Sequence, residues 1–243
     1  MFAFTRPMIA AHRGFSAQYP ENTMAAFKAA VHNKAQMIEL DVTLSRDDAV
    51  VVIHDNTVDR TTNGTGRVNR LTLAEIKQLD AGSWFKPQFF QERIPTLEEV
   101  LQAFKNKALI NIEIKADGFA SIESPAVLAK KVVALVAEQQ MKDQVLISSF
   151  SAGMLKRVLS IDASLAVAVL EEAPYGPRTL ERCRELGAFA LHPKFSLLNA
   201  SMVDQCHDEG MFVFVWDVRS EKDVATCFQF NADGVIMDDP RRP

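Results

Sequence analysis

Leu109-Ile110-Asn111-Ile112-Glu113-Ile114-Lys115 and Val145-Leu146-Ile147-Ser148-Ser149-Phe150 are two short, apolar runs with a helical segment over about residues 125–140 between them. Two strands joined through a helix lie parallel, because the helix carries the chain back to the edge from which it started. The unit then repeats. Helix and strand alternate through Leu165–Leu170, Ala188-Phe189-Ala190-Leu191-His192-Pro193, Met211-Phe212-Val213-Phe214-Val215-Trp216 and Gly234-Val235-Ile236-Met237-Asp238. Upstream, Met8-Ile9-Ala10-Ala11-His12-Arg13-Gly14 and Met37-Ile38-Glu39-Leu40-Asp41-Val42 flank a helix over about residues 23–33, capped by Asn22 or Thr23. The strands end near residues 12, 41, 115, 149, 170, 192, 216 and 237. Eight βα alternations predict an α/β fold, a (β/α)8 TIM barrel. The alternative is an open doubly wound sheet, and against it no glycine-rich phosphate turn opens the first helix.

One region breaks the rhythm. Val50-Val51-Val52-Ile53-His54-Asp55 follows the second strand across a turn, Ser45-Arg46-Asp47-Asp48, too short for a helical crossover, so a hairpin is expected. Residues 56–95 are polar and turn-rich, with one short helix at about 72–79 whose Thr72 and Glu75 have capping-box spacing. Asn63-Gly64-Thr65-Gly66 reads as a turn rather than a phosphate cradle. Thr96 and Glu99 repeat the capping-box pattern at the next helix. The expected organisation is one domain over residues 1–243, with an insertion at about 56–95 packed over one end.

A chain of 243 residues, 48% hydrophobic, buries one sizeable core. Its net charge of −4 carries no basic half, which argues against a nucleic-acid partner. Cys183, Cys206 and Cys227 are odd in number, far apart and without metal-ligand spacing, so they read as buried reduced thiols. The N-terminal stretch, interrupted by Arg6 and Pro7, does not read as a signal peptide, and no apolar run reaches the ~18 residues of a membrane span. The expectation is a cytoplasmic protein with no stable membrane association.

In a barrel of this kind the active site lies at the C-terminal ends of the strands. Strand one delivers His12 and Arg13 there, strand two Glu39 and Asp41, the hairpin His54, strand three Glu113 and Lys115, and strand seven Trp216. Glu39, Asp41 and Glu113 each interrupt an apolar strand and are expected to face inward. Burying three carboxylates together requires something that neutralises them. Oxygen ligands suit a hard divalent cation, Mg²⁺ or Ca²⁺; the other reading is a structural network with Arg13 and Lys115. A cation, Arg13 and Lys115 converging on one point would bind phosphate, and two histidines could then act as acid and base. His192, at a strand end, is a further candidate for the pocket wall, whereas His32 and His207 fall on helices and read as surface or packing residues. Trp216 fits either barrel packing or a pocket wall against the alcohol of a substrate.

Ala11-His12-Arg13-Gly14, Pro20-Glu21-Asn22-Thr23, Ile38-Glu39-Leu40-Asp41-Val42, Val52-Ile53-His54-Asp55, Ile112-Glu113-Ile114-Lys115 and Gly234-Val235-Ile236-Met237-Asp238-Asp239-Pro240 occur in the order seen in glycerophosphodiester phosphodiesterases. The resemblance covers nearly the whole chain, including Asp80-Ala81-Gly82-Ser83-Trp84. It implies a TIM barrel related to phosphoinositide-type phospholipases C and metal-dependent hydrolysis of a small glycerophosphodiester to sn-glycerol 3-phosphate and an alcohol. By motif match His12 and His54 would be the acid and base, Glu39, Asp41 and Glu113 the metal ligands, and Arg13 and Lys115 the phosphate contacts. Which histidine is the acid, and whether water or the glycerol hydroxyl attacks, stays open. Two stretches depart from the pattern: Asp217-Val218-Arg219 follows Trp216 where relatives often have Thr-Val-Asn, and Met237-Asp238 stands where many have Thr-Asp. The rival functions are a lysophospholipase D-like lipid phosphodiesterase and a non-catalytic phosphate-binding barrel.

Overall fold

Nine strands form one sheet in a computed structural model that describes residues 4–115, 121 and 124–241. Residues 1–3, part of the N-terminal stretch considered above, lie outside the described residues. In chain order the strands are β1 (Met8–Ala11), β2 (Met37–Leu44), β3 (Val50–Val52), β4 (Leu109–Ile114), β5 (Val145–Ser149), β6 (Ala166–Glu171), β7 (Ala190–Pro193), β8 (Phe212–Val218) and β9 (Gly234–Met237). Strand β1 pairs in parallel with β2 on one side and β9 on the other, which closes the ring and excludes the open sheet. Eight parallel strands make the barrel; β3 is antiparallel to β2, with Val42 opposite Val52, and stands outside the ring as the expected hairpin partner.

Helices fill the crossovers: α1 (Met24–His32), α3 (Leu97–Phe104), α4 (Ser124–Glu138), α5 (Ala152–Ile161), α6 (Pro177–Leu186), α7 (Ala200–Asp208) and α8 (Glu221–Gln229), with the single-turn α2 (Leu73–Ile76) in the insertion. The sequence signals for their starts are met by hydrogen bonds. Thr23, not Asn22, caps α1 by accepting from Ala26 N. Thr72–Glu75 and Thr96–Glu99 close both expected capping boxes. The helix expected over 72–79 stops at Ile76, because the Leu79 amide turns back to Ile76 O and the chain enters the Asp80 loop.

The main core lies between the helices and the outer face of the barrel, where Phe27, Leu101, Val132, Leu155 and Cys206 are buried. A second, smaller core fills the barrel itself with Met8, Met37, Leu146, Phe214 and Ile236. The insertion carries its own cluster, Val58, Val68, Ile76, Ala81 and Ile94, laid against Val51 and Ile53 of the hairpin. Its Asn-Gly-Thr-Gly segment is a turn held by its own neighbours: Gly66 N donates to Asp59 Oδ2 and Val58 N to Gly66 O. All three cysteines are buried and free, and burial pushes the thiols up, to about 11 for Cys183 and about 12 for Cys206 and Cys227, so none is an activated thiolate. Among the described residues no helix is long and apolar enough to cross a membrane.

Gly234 marks where the inner core is tightest. A Cβ there would stand 2.7 Å from both Met8 O and Phe214 Cδ1, one of them backbone of the neighbouring strand. Gly234→Ala is therefore expected to force β9 away from β1 and to destabilise the fold by about 2 kcal/mol, with a melting temperature lower by roughly 4–8 °C in thermal denaturation. An unchanged melting temperature would show that the strands yield without cost.

Candidate active site

The end of β1 sets the site. The His12 amide still donates to Met237 O of β9 at 2.9 Å, after which Arg13 and Gly14 take positive φ values of 54° and 80°. Residues with a Cβ rarely adopt this region. Here it aims the Arg13 amide at Glu39 Oε2, 2.8 Å away. Gly14 is required by space as well as conformation, since a Cβ would meet the α1 backbone at Ala26 C at 2.7 Å. The returning loop brings Asn22, whose Nδ2 donates to Asp41 Oδ2 at 2.9 Å.

Register assembles the carboxylates. Glu39 and Asp41 share a face of β2, and Asp41 is paired with Glu113 of β4. Ligand oxygens from all three lie within 4.8 Å of one another. Burial, reinforced by the charges of Asp41 and Glu113, pushes Glu39 up to about 8. Glu113 is raised for the same reasons. Burial acts on Asp41 in the same direction, but the charges of Lys115 and Arg13 outweigh it and hold Asp41 below its usual range. Lys115 Nζ stands 3.0 Å from Glu113 Oε1 and 3.4 Å from Asp41 Oδ1, and Arg13 Nε is 3.5 Å from Asp41 Oδ2.

The donor set fits a divalent cation. It is all oxygen, two of the three carboxylates are buried, and one oxygen from each lies close enough to the others for a single hard cation to be held between them. Three negative charges against the two of Arg13 and Lys115 leave an excess of one. A divalent cation turns that into one positive charge, which a phosphodiester monoanion cancels. The structural-network reading is thus half of the arrangement: both basic residues do pair with the triad, yet their two charges leave one of its three unmatched.

The two histidines are built alike. His12 Nδ1 lies 2.7 Å from Asp238 Oδ1, and His54 Nδ1 lies 2.7 Å from Asp55 Oδ1. In each, a carboxylate on Nδ1 fixes the ring and leaves Nε2 for other chemistry. Their environments differ. Burial lowers the His12 pKa, but its hydrogen bond to Asp238 and the charge of Glu39 outweigh this, and the net shift is upward. His54 is shifted down, by burial and by the charges of Arg13 and Lys115 against the attraction of Asp41. Arg60 ties the periphery together by binding Asp55 and Glu21, while Glu21 also accepts from Arg13 Nη1 at 2.8 Å.

A cavity of about 230 Å³ opens over the triad, walled by His12, Arg13, Glu39, His54, Glu113, Lys115 and Trp216. Asp41, the remaining residue singled out from the sequence, lies behind this wall at 1% exposure. Trp216 is a wall and a packing residue at once: its Nε1 donates to His192 O at 2.9 Å, and its ring meets Phe150 edge-on with centroids 5.7 Å apart. His192 does not line the cavity. Its ring is wholly buried inside the barrel, edge-on to Phe214, and burial pushes it down to about 3, so it stays neutral. His32 is exposed and His207 pairs with Asp233 at 2.9 Å, both away from the site.

Several contributors had no expected role at the site, Asn22 figuring above only as a candidate helix cap. Asp238, Asp55, Glu21 and Asn22 all lie inside motifs quoted above, as neighbours of the histidines or in the loop after β1. Phe150 and Glu172, at the ends of β5 and β6, also line the cavity, and the strand-end rule that found Trp216 would have found them. Arg60 lies in the insertion, five residues beyond Asp55, and no spacing rule points to it.

Comparison with known proteins identifies the family and the fold. The model of the glycerophosphoryl diester phosphodiesterase family matches residues 12–242. A glycerophosphodiester phosphodiesterase of Caldanaerobacter subterraneus subsp. tengcongensis is 39% identical over 236 residues, covering 97% of this chain and 95% of the relative. Among solved structures, an Oleispira antarctica phosphodiesterase in complex with the product sn-glycerol-3-phosphate superposes with a TM-score of 0.90 at 29% identity, covering 97% of this chain and 94% of that one. A glycerophosphodiester phosphodiesterase from Agrobacterium tumefaciens gives 0.84 at 30% identity, covering 96% and 97%.

Proposed function

The chain belongs to the glycerophosphoryl diester phosphodiesterase family, and we propose that it hydrolyses glycerophosphodiesters to sn-glycerol 3-phosphate and an alcohol at the cavity over Glu39, Asp41 and Glu113. The observation that carries this is the meeting, at one cavity, of Glu39 and Glu113 with Asp41 directly behind them, the cations Arg13 and Lys115, and two histidines each held by an aspartate. Glu39, Asp41 and Glu113 are the metal ligands in this reading, and the all-oxygen set selects Mg²⁺ or Ca²⁺. A divalent cation held there would supply positive charge to the phosphate.

The protein's own groups do the rest. Arg13 and Lys115 orient the phosphate and offset charge that grows in the transition state. His54, shifted toward its neutral form, takes the proton of the attacking hydroxyl on Nε2. As the new oxygen–phosphorus bond forms, the bond to the alcohol breaks, its electron pair passes to the alcohol oxygen, and His12 supplies the proton that oxygen needs. His12 then regains a proton and His54 loses one, so that water has been added across the ester. If the glycerol hydroxyl attacks first, water opens the cyclic phosphate in a second step; trapping of that cyclic product distinguishes the routes. Trp216 forms one side of the cavity. The same proposal treats residues 1–243 as one catalytic unit with 56–95 as an insertion, acting in the cytoplasm, as three unpaired cysteines favour.

Product release is the test. With glycerophosphocholine, glycerophosphoethanolamine and glycerophosphoglycerol, sn-glycerol 3-phosphate is expected to appear with Mg²⁺ or Ca²⁺ and to stop on thorough chelation. Turnover of micellar lysolipid exceeding that of all three would move the assignment to a lipid phosphodiesterase. No release from any substrate would favour a phosphate-binding barrel.

A further inference from the structure

The cavity over the triad has a neighbour. A second lobe of about 420 Å³ adjoins it, and the two share His12, Arg13, Trp216 and Ile236. Glu39, Glu113 and His54 line only the first; Lys194, Asp217, Arg219 and Asp238 line only the second. We propose that the second lobe receives the departing alcohol, and that Lys194 and Arg219 select alcohols carrying an anionic group over those carrying a quaternary ammonium. The inference rests on the hydrolase reading above and adds the substrate class.

A phosphodiester has two organic arms on one phosphorus. With the phosphate at Arg13 and the triad, two lobes meeting at Arg13 take one arm each. Glycerol, the constant and smaller arm, suits the smaller lobe, where Phe150, Leu170 and Trp216 give apolar walls and Glu172 one acceptor. The variable alcohol falls to the larger lobe. The histidines support that direction: His12 faces both lobes and can reach an oxygen leaving toward the second, whereas His54 faces the first alone.

Charge sets the preference. Arg219 Nε binds Asp217 Oδ1 at 2.7 Å, and Lys194 Nζ stands 3.8 Å from Asp217 Oδ2, so two cations share one carboxylate. Asp238, the other acid in the lobe, accepts from Ser16 Oγ at 3.0 Å and holds His12 Nδ1, and is engaged there. With Arg13, which also lines the lobe, three cations face the two acids Asp217 and Asp238, and the lining keeps an excess of one positive charge. Lys194 Nζ also lies 5.4 Å from the centroid of the Trp216 ring, and so takes up the aromatic surface on which a choline group would gain its attraction. The backbone sustains the arrangement: β8 slips register between Val215 and Val218, and Asp217 adopts φ 62°, an irregularity that re-aims side chains at the rim of a barrel.

A matched pair of substrates isolates the charge. Glycerophosphoinositol and glycerophosphoinositol 4-phosphate differ in the departing alcohol by one phosphate, and glycerophosphocholine supplies the opposite charge. The expected order of kcat/KM, with saturating cation, is the 4-phosphate above the neutral inositol ester by about five- to tenfold, with the choline ester lowest. The advantage of the 4-phosphate is expected to shrink as salt rises from 0.05 to 0.5 M, on the order of the loss expected for exposed charges. Lys194→Ala and Arg219→Ala, both at exposed side chains, are expected to bring the ratio of the two inositol substrates close to one, and melting curves check that they fold. A choline preference, or variants that lower all three rates in proportion, would overturn the inference while leaving the hydrolase reading intact. Turnover of none of the three would instead fail that reading and remove the inference with it.

Discussion

His12→Ala is expected to lower kcat on glycerophosphoglycerol by about 10²–10⁴-fold, and most of that loss should disappear when the departing alcohol is a nitrophenol. The reason lies in what each histidine is asked to do. An alkoxide is too basic to leave without a proton, so the acid contributes its full factor when the alcohol is aliphatic. A nitrophenolate leaves unprotonated, and the acid has nothing to add. His54→Ala should be equally damaging on both substrates, because the attacking hydroxyl must lose its proton whatever leaves. The structure supports this split on geometric grounds: His12 borders both lobes and His54 only the one over the triad. Both rings are tethered through Nδ1 at 2.7 Å, so the variants remove Nε2 chemistry while the aspartates stay in place. Single-turnover measurements on the two substrates decide the matter. If His54→Ala, and not His12→Ala, is the variant relieved by the nitrophenyl ester, the roles are reversed. If neither is relieved, neither histidine is the acid.

The ease with which the barrel was read from sequence has a physical basis. Buried parallel strands are nearly continuous apolar runs, and an interruption by Glu39, Asp41 or Glu113 is conspicuous because burying it is costly. The strand-end rule points to His12, Arg13, Lys115 and Trp216, and all four line the cavity. The hairpin at β3 was legible because its turn leaves no room for a crossover. What stayed hidden depends on contacts between segments distant in the chain. Asp238 meets His12 across 226 residues, and Arg60 reaches Glu21 across 39, neither of which a local pattern encodes. His192 misled for a related reason: alternation along β7 places a strand-end histidine on the inner face, but not above or below the layer that Phe214 fills. The second lobe was likewise invisible, since it follows from a register slip in β8 that no residue pattern announces.

Metal binding to the triad is expected to be proton-linked, and the fold should report it. In the metal-free protein burial and the neighbouring carboxylates raise Glu39 from 4.5 to about 8. The unfolded chain has no such neighbours, so between these values the folded state holds a proton that the unfolded state does not. Stability from this group is then fully present below about 4.5 and is lost as pH rises through about 8. A divalent cation takes the place of the proton and removes the penalty, so cation affinity should rise with pH across the same window. The expected result is a melting temperature that falls between pH 5 and pH 8 under chelation and holds under saturating Mg²⁺ or Ca²⁺. The gain from cation should therefore be larger at pH 8, by roughly 5–10 °C for a chain of this length. Calorimetric titration in buffers of differing ionisation enthalpy should show proton release near neutral pH. Glu39→Gln, which is neutral at every pH, should weaken the pH dependence of the stabilisation, leaving the part due to Glu113, and lower both cation affinity and turnover, the latter by about 10²-fold or more. A cation-induced gain that is the same at pH 5 and pH 8 would place the ion elsewhere than on Glu39, Asp41 and Glu113, and the chelation-sensitive activity with it.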